Sequence, residues 1–142
     1  MPESAKRPRV LIVEDFPLIQ ESIRQVLQPD CEVLGAAENS EIALAEVSKL
    51  RPDIVVLDVS LPDSSGFALA EKLNQTQLKP NVVFVTAYLD KMYVERAFEI
   101  GAKGYVLKSS IHTELPAAIR EVTGGGRYLS PLIRAKLNLN IP

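Results

Sequence analysis

Short apolar runs alternate with amphipathic segments along almost the whole chain, and this alternation restricts the fold more than any other feature. Five such runs occur: Val10–Val13, Glu32–Ala37, Asp53–Asp58, Asn81–Thr86 and Gly104–Lys108. Most are rich in β-branched residues and lack two-residue alternation, which is typical of strands buried on both faces of a parallel sheet. The segments between them carry apolar residues three or four positions apart and predict helices. The sequence therefore predicts a three-layer α/β domain with a doubly wound, parallel, five-stranded sheet and right-handed crossovers.

The composition narrows the class of protein. With 142 residues, of which 46% are hydrophobic, the chain has the size of one domain and enough apolar material for a core. A net charge of −2 provides no overall basic surface for nucleic acid or an anionic membrane. No apolar stretch reaches the roughly 20 residues that span a bilayer, and the N-terminus lacks the apolar core of a secretory signal. The single cysteine, Cys31, cannot form an internal disulfide. These features predict a soluble, cytoplasmic protein with no membrane partner.

The domain boundaries are expected to follow the same pattern. Residues 1–8 precede the first strand and are predicted to be a flexible N-terminus, and residues 9–124 hold the five strand–helix units. After the glycines at 124–126 the pattern changes, and Ser130-Pro131 resembles the start of a helix. Residues 125–142 are therefore expected to form a linker or partial helix that leads towards an effector domain absent from this chain.

Polar side chains follow four of the five predicted strands. Glu14 and Asp15 follow the first run, Asp58 ends the third, Thr86 ends the fourth and Lys108 ends the fifth. Because ligands of an open parallel sheet bind beyond the carboxyl ends of its strands, these groups are expected to meet at one edge. Taken singly, each would be interpreted as a turn, capping or solvated residue. Their position at the ends of several strands favours a functional site.

This set of residues predicts a metal-assisted reaction of a phosphoryl group. Three neighbouring carboxylates repel one another unless a cation lies among them, and oxygen ligands without His or Cys favour Mg²⁺ over zinc. We expect a divalent ion held by Asp15 and Asp58, with Glu14 acting through water. Such an ion prepares one carboxylate oxygen to attack a phosphoryl group, while Lys108 stabilises charge on its oxygens and Thr86 donates a hydrogen bond.

Four segments of the sequence carry a resemblance to a known family: LIVED, DVSLPDSSG, VTAY and GYVLK. Together they resemble the receiver domain of two-component response regulators. The resemblance implies a flavodoxin-like sheet of order 2-1-3-4-5. It also implies that Asp58 is the phosphoacceptor and that Glu14 and Asp15 help to bind Mg²⁺, with Mn²⁺ as an alternative ion. Thr86 and Lys108 match the hydroxyl and ammonium groups that contact the phosphoryl oxygens.

Other positions match the same family over about residues 8–123. The resemblance implies that the backbone carbonyl of Ser60 is a further metal ligand and that Gly66 opens the third helix. Ala87 matches the small residue that leaves room for the phosphoryl group. Tyr105 matches the aromatic residue that turns inward when the switch hydroxyl moves.

The end of the sequence, GGRYLSP, is similar to the end of NarL/FixJ-type receivers, which lead through a linker to a LuxR-type helix-turn-helix. The resemblance implies control of transcription, with DNA contacted only by such an effector outside this chain. Either the chain is part of a longer protein, or the natural protein ends near Pro142 and acts alone through protein–protein contacts. Ser109 stands where many receivers have proline after the lysine.

The resemblance also implies the partners. A cognate sensor histidine kinase would supply the phosphoryl group, and the surface of the fourth helix, fifth strand and fifth helix would pass the change on. A homodimer formed on phosphorylation could use either the first and fifth helices or this same surface, and the sequence leaves that choice open. The bulky ring of Tyr88, two residues beyond Thr86, is expected to slow hydrolysis of the acyl phosphate.

Three other classes of protein share parts of this pattern. A metal-dependent phosphatase with an aspartyl nucleophile needs a second acid two residues later, and Ser60 cannot serve. An FMN carrier needs hydroxyl groups and glycines after the first strand, where this chain has EDFPLI. A docking module that had lost phosphorylation would not need all five polar side chains. The favoured interpretation is a signalling switch that catalyses only its own phosphorylation and dephosphorylation, not an enzyme with other substrates.

Overall fold

Strands and helices alternate along the chain in the computed structural model, which describes residues 7–139. Residues 1–6 of the predicted flexible N-terminus and residues 140–142 of the predicted linker lie outside the described residues. The strands are β1 (Arg9–Val13), β2 (Glu32–Ala37), β3 (Ile54–Leu57), β4 (Asn81–Thr86), β5 (Gly104–Leu107) and β6 (Tyr128–Leu129). The helices are α1 (Pro17–Leu27), α2 (Ser40–Leu50), α3 (Gly66–Asn74), α4 (Lys91–Glu99), α5 (Ile111–Thr123) and α6 (Pro131–Leu137).

The strands form one parallel sheet of order β2-β1-β3-β4-β5-β6. The predicted order of the first five strands and the doubly wound architecture are confirmed. The sixth strand, Tyr128–Leu129, pairs with the edge of β5 and was not predicted. Two residues are too few to produce a recognisable hydrophobic pattern, so this strand depends on tertiary packing.

The core has two halves because successive residues of a strand point to opposite faces of the sheet. On one face, strand residues such as Ile12 pack with Ile23 of α1 and Ile119 of α5. On the other face, strand residues such as Leu57 pack with Leu69 of α3 and with residues of α2, α4 and α6. The runs of β1, β3, β4 and β5 are therefore covered on both sides, as their lack of alternation predicts, whereas the edge strand β2 is mostly half-buried.

Local sequence features explain where the helices begin and end. Pro17 is the first residue of α1, where its missing N–H costs no hydrogen bond. The side chain of Asn39 accepts the N–H of Ile42 and caps α2. Gly101, with φ of +97°, follows α4 in the left-handed region that favours glycine. Among residues 7–139, no helix combines the length and apolar character that crossing a membrane requires.

Candidate functional site

Five polar residues meet at the edge of the sheet where the parallel strands end. Glu14 and Asp15 follow β1, Asp58 follows β3, Thr86 is the last residue of β4 and Lys108 follows β5. The side chains of Glu14, Asp15 and Asp58 each place a carboxylate oxygen within 4.8 Å of the other two. The fold thus brings together residues that lie up to 94 positions apart (Lys108 minus Glu14).

Lys108 links two of the three carboxylates. Its Nζ atom lies 2.9 Å from Oε1 of Glu14 and 2.8 Å from Oδ2 of Asp58. A single 3₁₀ turn, Lys108–Ser110, begins directly after β5 and sets the lysine at the sheet edge. The side chain of Lys108 is 20% exposed, whereas that of Glu14 is 1% exposed. The ammonium group is therefore reachable from solvent while it neutralises a buried acid.

Burial and charge have opposing effects at this cluster. Burial raises the pKa of Glu14 above its ordinary value; hydrogen bonds from Lys108 and the Phe16 N–H oppose the rise, and the charge of Asp58 adds to it. For Lys108, burial acts to lower the pKa, but its bonds with Asp58 and Glu14 outweigh burial, and the pKa is raised. Lys108 is therefore charged at neutral pH.

Backbone contacts with β1 and with the segment between β3 and α3 fix the position of Asp58. Its N–H donates to the carbonyl of Val13 at 3.1 Å, and its Oδ1 accepts the N–H of Ser60 at 3.2 Å. Gly66, the first residue of α3, comes so close that a Cβ there would lie 2.1 Å from the carbonyl oxygen of Asp58. Any larger residue would push against the backbone of Asp58, so this contact requires glycine.

Asp63 fastens the same loop to α2. Its Oδ1 accepts the N–H of Ser40 at 2.9 Å, and its Oδ2 accepts the N–H of Glu41 at 3.2 Å. These N–H groups lie in the first turn of a helix and have no partner within it. The bond from the Ser40 N–H is the main reason why the pKa of Asp63 is lowered. Asp63 was not predicted from the sequence, because an acid after Pro62 looks like an ordinary turn residue.

A chain of hydrogen bonds leads away from Thr86. Thr86, which is fully buried, accepts the N–H of Tyr88 on its Oγ1 at 3.2 Å. The hydroxyl of Tyr105 donates to the backbone carbonyl of Tyr88 at 2.7 Å. The hydroxyl of Ser60 donates to the hydroxyl of Tyr88 at 3.2 Å. The ring of Tyr105 is already fully buried in this arrangement.

An open cavity of about 280 Å³ lies over the carboxylates. It is lined by Asp15, Phe16, Asp58, Ser60, Leu61, Pro62, Ala87, Tyr88 and Lys108. Three further residues singled out from the sequence, Glu14, Thr86 and Tyr105, are buried in the protein interior. A group that enters the cavity thus meets the carboxylate of Asp58 and the ammonium of Lys108 together.

The donor set at this cavity fits a hard divalent cation. Three carboxylates with oxygens within 4.8 Å of one another carry more negative charge than Lys108 balances. Oxygen donors and a cavity open to water suit Mg²⁺, which prefers carboxylates and retains several water molecules. A carboxylate that neighbours an ammonium group and would hold such an ion is suited to attack on a phosphoryl group, because both positive charges would stabilise the phosphoryl oxygens.

Comparison with known proteins identifies the family. The family model described as the response regulator receiver domain matches residues 10–120. The chain belongs to this family. The receiver is 35% identical over 133 residues to the response regulator GacA from Pseudomonas viridiflava, a match that covers 92% of the chain and 62% of GacA. The chain therefore spans less than two thirds of the length of such relatives.

Solved structures agree with this assignment. A LuxR-family two-component response regulator from Aurantimonas sp. SI85-9A1 is 30% identical, with a TM-score of 0.87 and coverage of 94% of this receiver and 96% of that chain. The signal receiver domain of NarL from Mycobacterium tuberculosis is 28% identical, with a TM-score of 0.80 and coverage of 84% and 98%. These similarities confirm the resemblance to NarL/FixJ-type receivers.

Proposed function

We propose that Asp58 accepts a phosphoryl group from a phosphohistidine of a cognate sensor histidine kinase in the cytoplasm. The observation that carries this proposal is the position of the Asp58 carboxylate, which faces the cavity 2.8 Å from the Lys108 ammonium and beside two further acids. In the transfer, an Asp58 oxygen forms a bond to phosphorus and the phosphorus–nitrogen bond breaks. The imidazole leaves with the electron pair of that bond and takes up a proton.

Each neighbouring group has a part in this step. Lys108, now bonded to Asp58, would move to the phosphoryl oxygens and stabilise their charge. The Ser60 N–H would keep the other carboxylate oxygen oriented, since it already donates to Oδ1. Ala87, which has only a methyl side chain, lines the cavity and leaves room for the phosphoryl group.

We further propose which residues would hold the metal ion. Glu14, Asp15, Asp58 and the backbone carbonyl of Ser60 would bind Mg²⁺, or Mn²⁺ in its place. When bound, the ion supplies positive charge that offsets repulsion between the carboxylates and the incoming phosphoryl group. Lys108, whose ammonium group lies 2.8 Å from Asp58, provides part of the same compensation.

The state of Asp58 would be communicated through Thr86. Its hydroxyl would donate to a phosphoryl oxygen and draw the segment between β4 and α4 towards the site. Tyr88 and Tyr105 would respond, because Tyr88 is bonded to both Thr86 and Tyr105. The face formed by α4, β5 and α5, here called the output face, would present the change.

The proposed output is transcription, through a helix-turn-helix effector that follows the receiver. The chain covers 62% of GacA, which leaves room in that relative for another domain. DNA would be contacted by the effector alone, and phosphorylation would favour a homodimer. The alternative is a receiver that acts by itself through protein–protein contacts. In both cases the receiver would catalyse only its own phosphorylation and dephosphorylation.

Incubation with acetyl phosphate and Mg²⁺, followed by intact mass measurement, tests the proposed function. We expect the wild-type chain to gain one phosphoryl group and Asp58→Asn to gain none. Asp30→Asn, which changes an exposed acid near the other end of the sheet, is the matched control and should gain the group as the wild type does. A gain that persists in Asp58→Asn, or no gain in the wild type, would contradict the proposal.

A further inference from the structure

The C-terminal residues 127–139, here called the docked tail, cover the open edge of β5. Gly104 and Tyr105 of β5 pair with Tyr128 and Leu129 of the tail, and the Tyr128 N–H donates to the carbonyl of Lys103 at 2.8 Å. Without β6, β5 would be the edge strand of the sheet, with unpaired backbone groups. A segment of the chain itself therefore occupies part of the output face.

Side chains hold the docked tail from two directions. The carboxylate of Glu114 on α5 accepts the hydroxyl of Tyr128 at 3.1 Å and the hydroxyl of Ser130 at 3.0 Å. Ile133 of α6 is fully buried, and Leu129 is 8% exposed. Both belong to the apolar cluster that contains residues of α4 and β5. The tail is thus bonded to α5 and packed against the α4 side of the sheet.

The docked tail is connected to the phosphoryl site by direct contacts. Leu129 lies opposite Tyr105 in the β5–β6 pair, and both belong to the same apolar cluster. The hydroxyl of Tyr105 donates to the backbone carbonyl of Tyr88, and the backbone N–H of Tyr88 donates to Oγ1 of Thr86. Each step from Thr86 to the tail is therefore a hydrogen bond or a strand pairing.

We propose that the docked tail is an intramolecular ligand of the output face, and that its docking and the phosphorylation of Asp58 stabilise each other. This inference rests on the proposed function. A docked tail keeps Tyr105 on the inner side of β5, where its hydroxyl holds the Tyr88 carbonyl. If docking and phosphorylation both favour the arrangement with Tyr105 buried, each stabilises the other, and thermodynamic linkage requires the two effects to be equal.

The proposal changes what a partner of the output face would meet. A partner that binds β5 directly must displace residues 127–139, and a partner that binds without displacing them must contact the tail. Phosphorylation would therefore hinder the first kind of partner and promote the second. If an effector follows the receiver, as proposed, docking of the tail would fix the direction in which the connection to it starts.

Hydrogen exchange in the wild-type chain provides the first test. The amides of residues 128–139 are measured with and without beryllium fluoride and Mg²⁺, a mimic of the phosphoryl group. We expect their protection to rise by about fivefold or more when the mimic binds, which is the lower range of coupling between two sites. Unchanged or reduced protection, with the mimic bound, would overturn the inference.

Point variants of the full chain provide the reciprocal test. Ile133→Asp places a charge at a fully buried position and should undock the tail, whereas Leu132→Asp changes a half-exposed neighbour on α6 and is the matched control. Ile133→Asp should weaken the affinity for beryllium fluoride with Mg²⁺ by the same factor that hydrogen exchange reports. Ser130→Ala, which removes one bond to Glu114, should have a smaller effect in the same direction.

The outcomes separate the inference from the proposed function. If the wild type gains a phosphoryl group from acetyl phosphate but Ile133→Asp binds the mimic as tightly as Leu132→Asp, the inference is wrong and the proposed function stands. If the wild type neither gains the group nor binds the mimic, both are wrong. If Ile133→Asp does not fold, the hydrogen exchange of the wild type and the affinity of Ser130→Ala decide.

Discussion

Replacement of Lys108 by methionine removes the ammonium group from the acidic cluster and keeps a side chain of similar length. The ammonium lies 2.8 Å from Asp58 and 2.9 Å from Glu14, whose side chains are 6% and 1% exposed. Removing one partner of a buried ion pair costs about 3–5 kcal/mol, because the remaining charge stays in the interior. Lys108 is itself 20% exposed, so we expect a loss at the lower end, about 3 kcal/mol of the free energy of unfolding.

Urea unfolding followed by circular dichroism at neutral pH, without divalent ions, measures this loss. Lys49→Met changes an exposed lysine on α2 and is the control; its free energy of unfolding should differ from wild type by less than about 0.5 kcal/mol. Mg²⁺ should restore more stability to Lys108→Met than to wild type, because the variant lacks the positive charge that the ion replaces.

The pH dependence gives an independent check. Because the pKa of Lys108 is raised, its stabilising effect is fully present below the ordinary lysine pKa and is lost only as the pH rises through the folded value. In Lys108→Met, the pKa of Glu14 should rise further above its ordinary value than in the wild type, because the hydrogen bond and the charge of Lys108 that lower it are lost. The folded variant then binds protons more readily than the unfolded chain, so its deficit should shrink as the pH falls towards about 4.

Two results would refute this reasoning. If Lys108→Met is as stable as Lys49→Met at neutral pH, the ammonium is not what offsets the buried carboxylates. If the deficit is present but does not change with Mg²⁺ or with acid, it arises from packing of the lysine stem rather than from charge.

Three further predictions concern other parts of the receiver. Gly66→Ala should lower the free energy of unfolding, measured in urea, by about 3 kcal/mol, because its Cβ would lie 2.1 Å from the Asp58 carbonyl oxygen. The same variant should be phosphorylated more slowly by acetyl phosphate. A variant that equals the wild type in stability and in phosphorylation rate would contradict the contact. Tyr88→Ala should speed the decay of phosphorylated protein followed by intact mass, whereas Tyr88→Phe, which keeps the ring, should not; equal decay rates would exclude shielding by the ring. Burial, with the charge of Glu114, raises the pKa of Tyr128 to about 12. The stabilisation that the protonated Tyr128 hydroxyl gives to the folded chain should therefore be lost between about pH 10 and 12. In urea titrations over this pH range, Tyr128→Phe should lose less free energy of unfolding than the wild type.

The strands and the place of the site could be predicted from the sequence because both depend on local rules. Buried parallel strands need continuous apolar runs, so β3 and β5 stand out in the printed sequence. The residues directly after them, Asp58 and Lys108, must then lie at one edge of the sheet. The closeness of their side chains, 2.8 Å in the structure, follows from the strand order, which the resemblance to receivers implied. The strand order is therefore the main reason why these side chains meet at the site.

The contacts that hold the site in place could not be predicted in the same way. Asp63 bonds to backbone N–H groups of Ser40 and Glu41, and such bonds have no side-chain pattern in the sequence. Ser130 was expected at the start of a helix, and it is the N-cap residue of α6, but its hydroxyl donates to Glu114 and does not cap the helix. Short polar side chains choose among nearby partners, so their bonds depend on which elements the fold brings close.

Residues 125–142 were expected to form a linker or partial helix, but the docking of the tail on β5 was not predicted, because the two residues of β6 form no pattern in the sequence. Leu129, Ile133 and Leu139 are the buried aliphatic residues of the tail, and each such side chain contributes about 1.5–3 kcal/mol. An aspartate in place of Ile133 removes one such contribution and adds a buried charge, so we expect it to undock the tail. The entropy cost of ordering residues 127–139 opposes these contacts, so the net free energy of docking is much smaller than their sum. A coupling of about 1–3 kcal/mol, the usual range between sites, then shifts the population of the docked tail. The central strands cannot respond to so small a change, and this is why the edge of β5 is the part of the sheet suited to carry a signal.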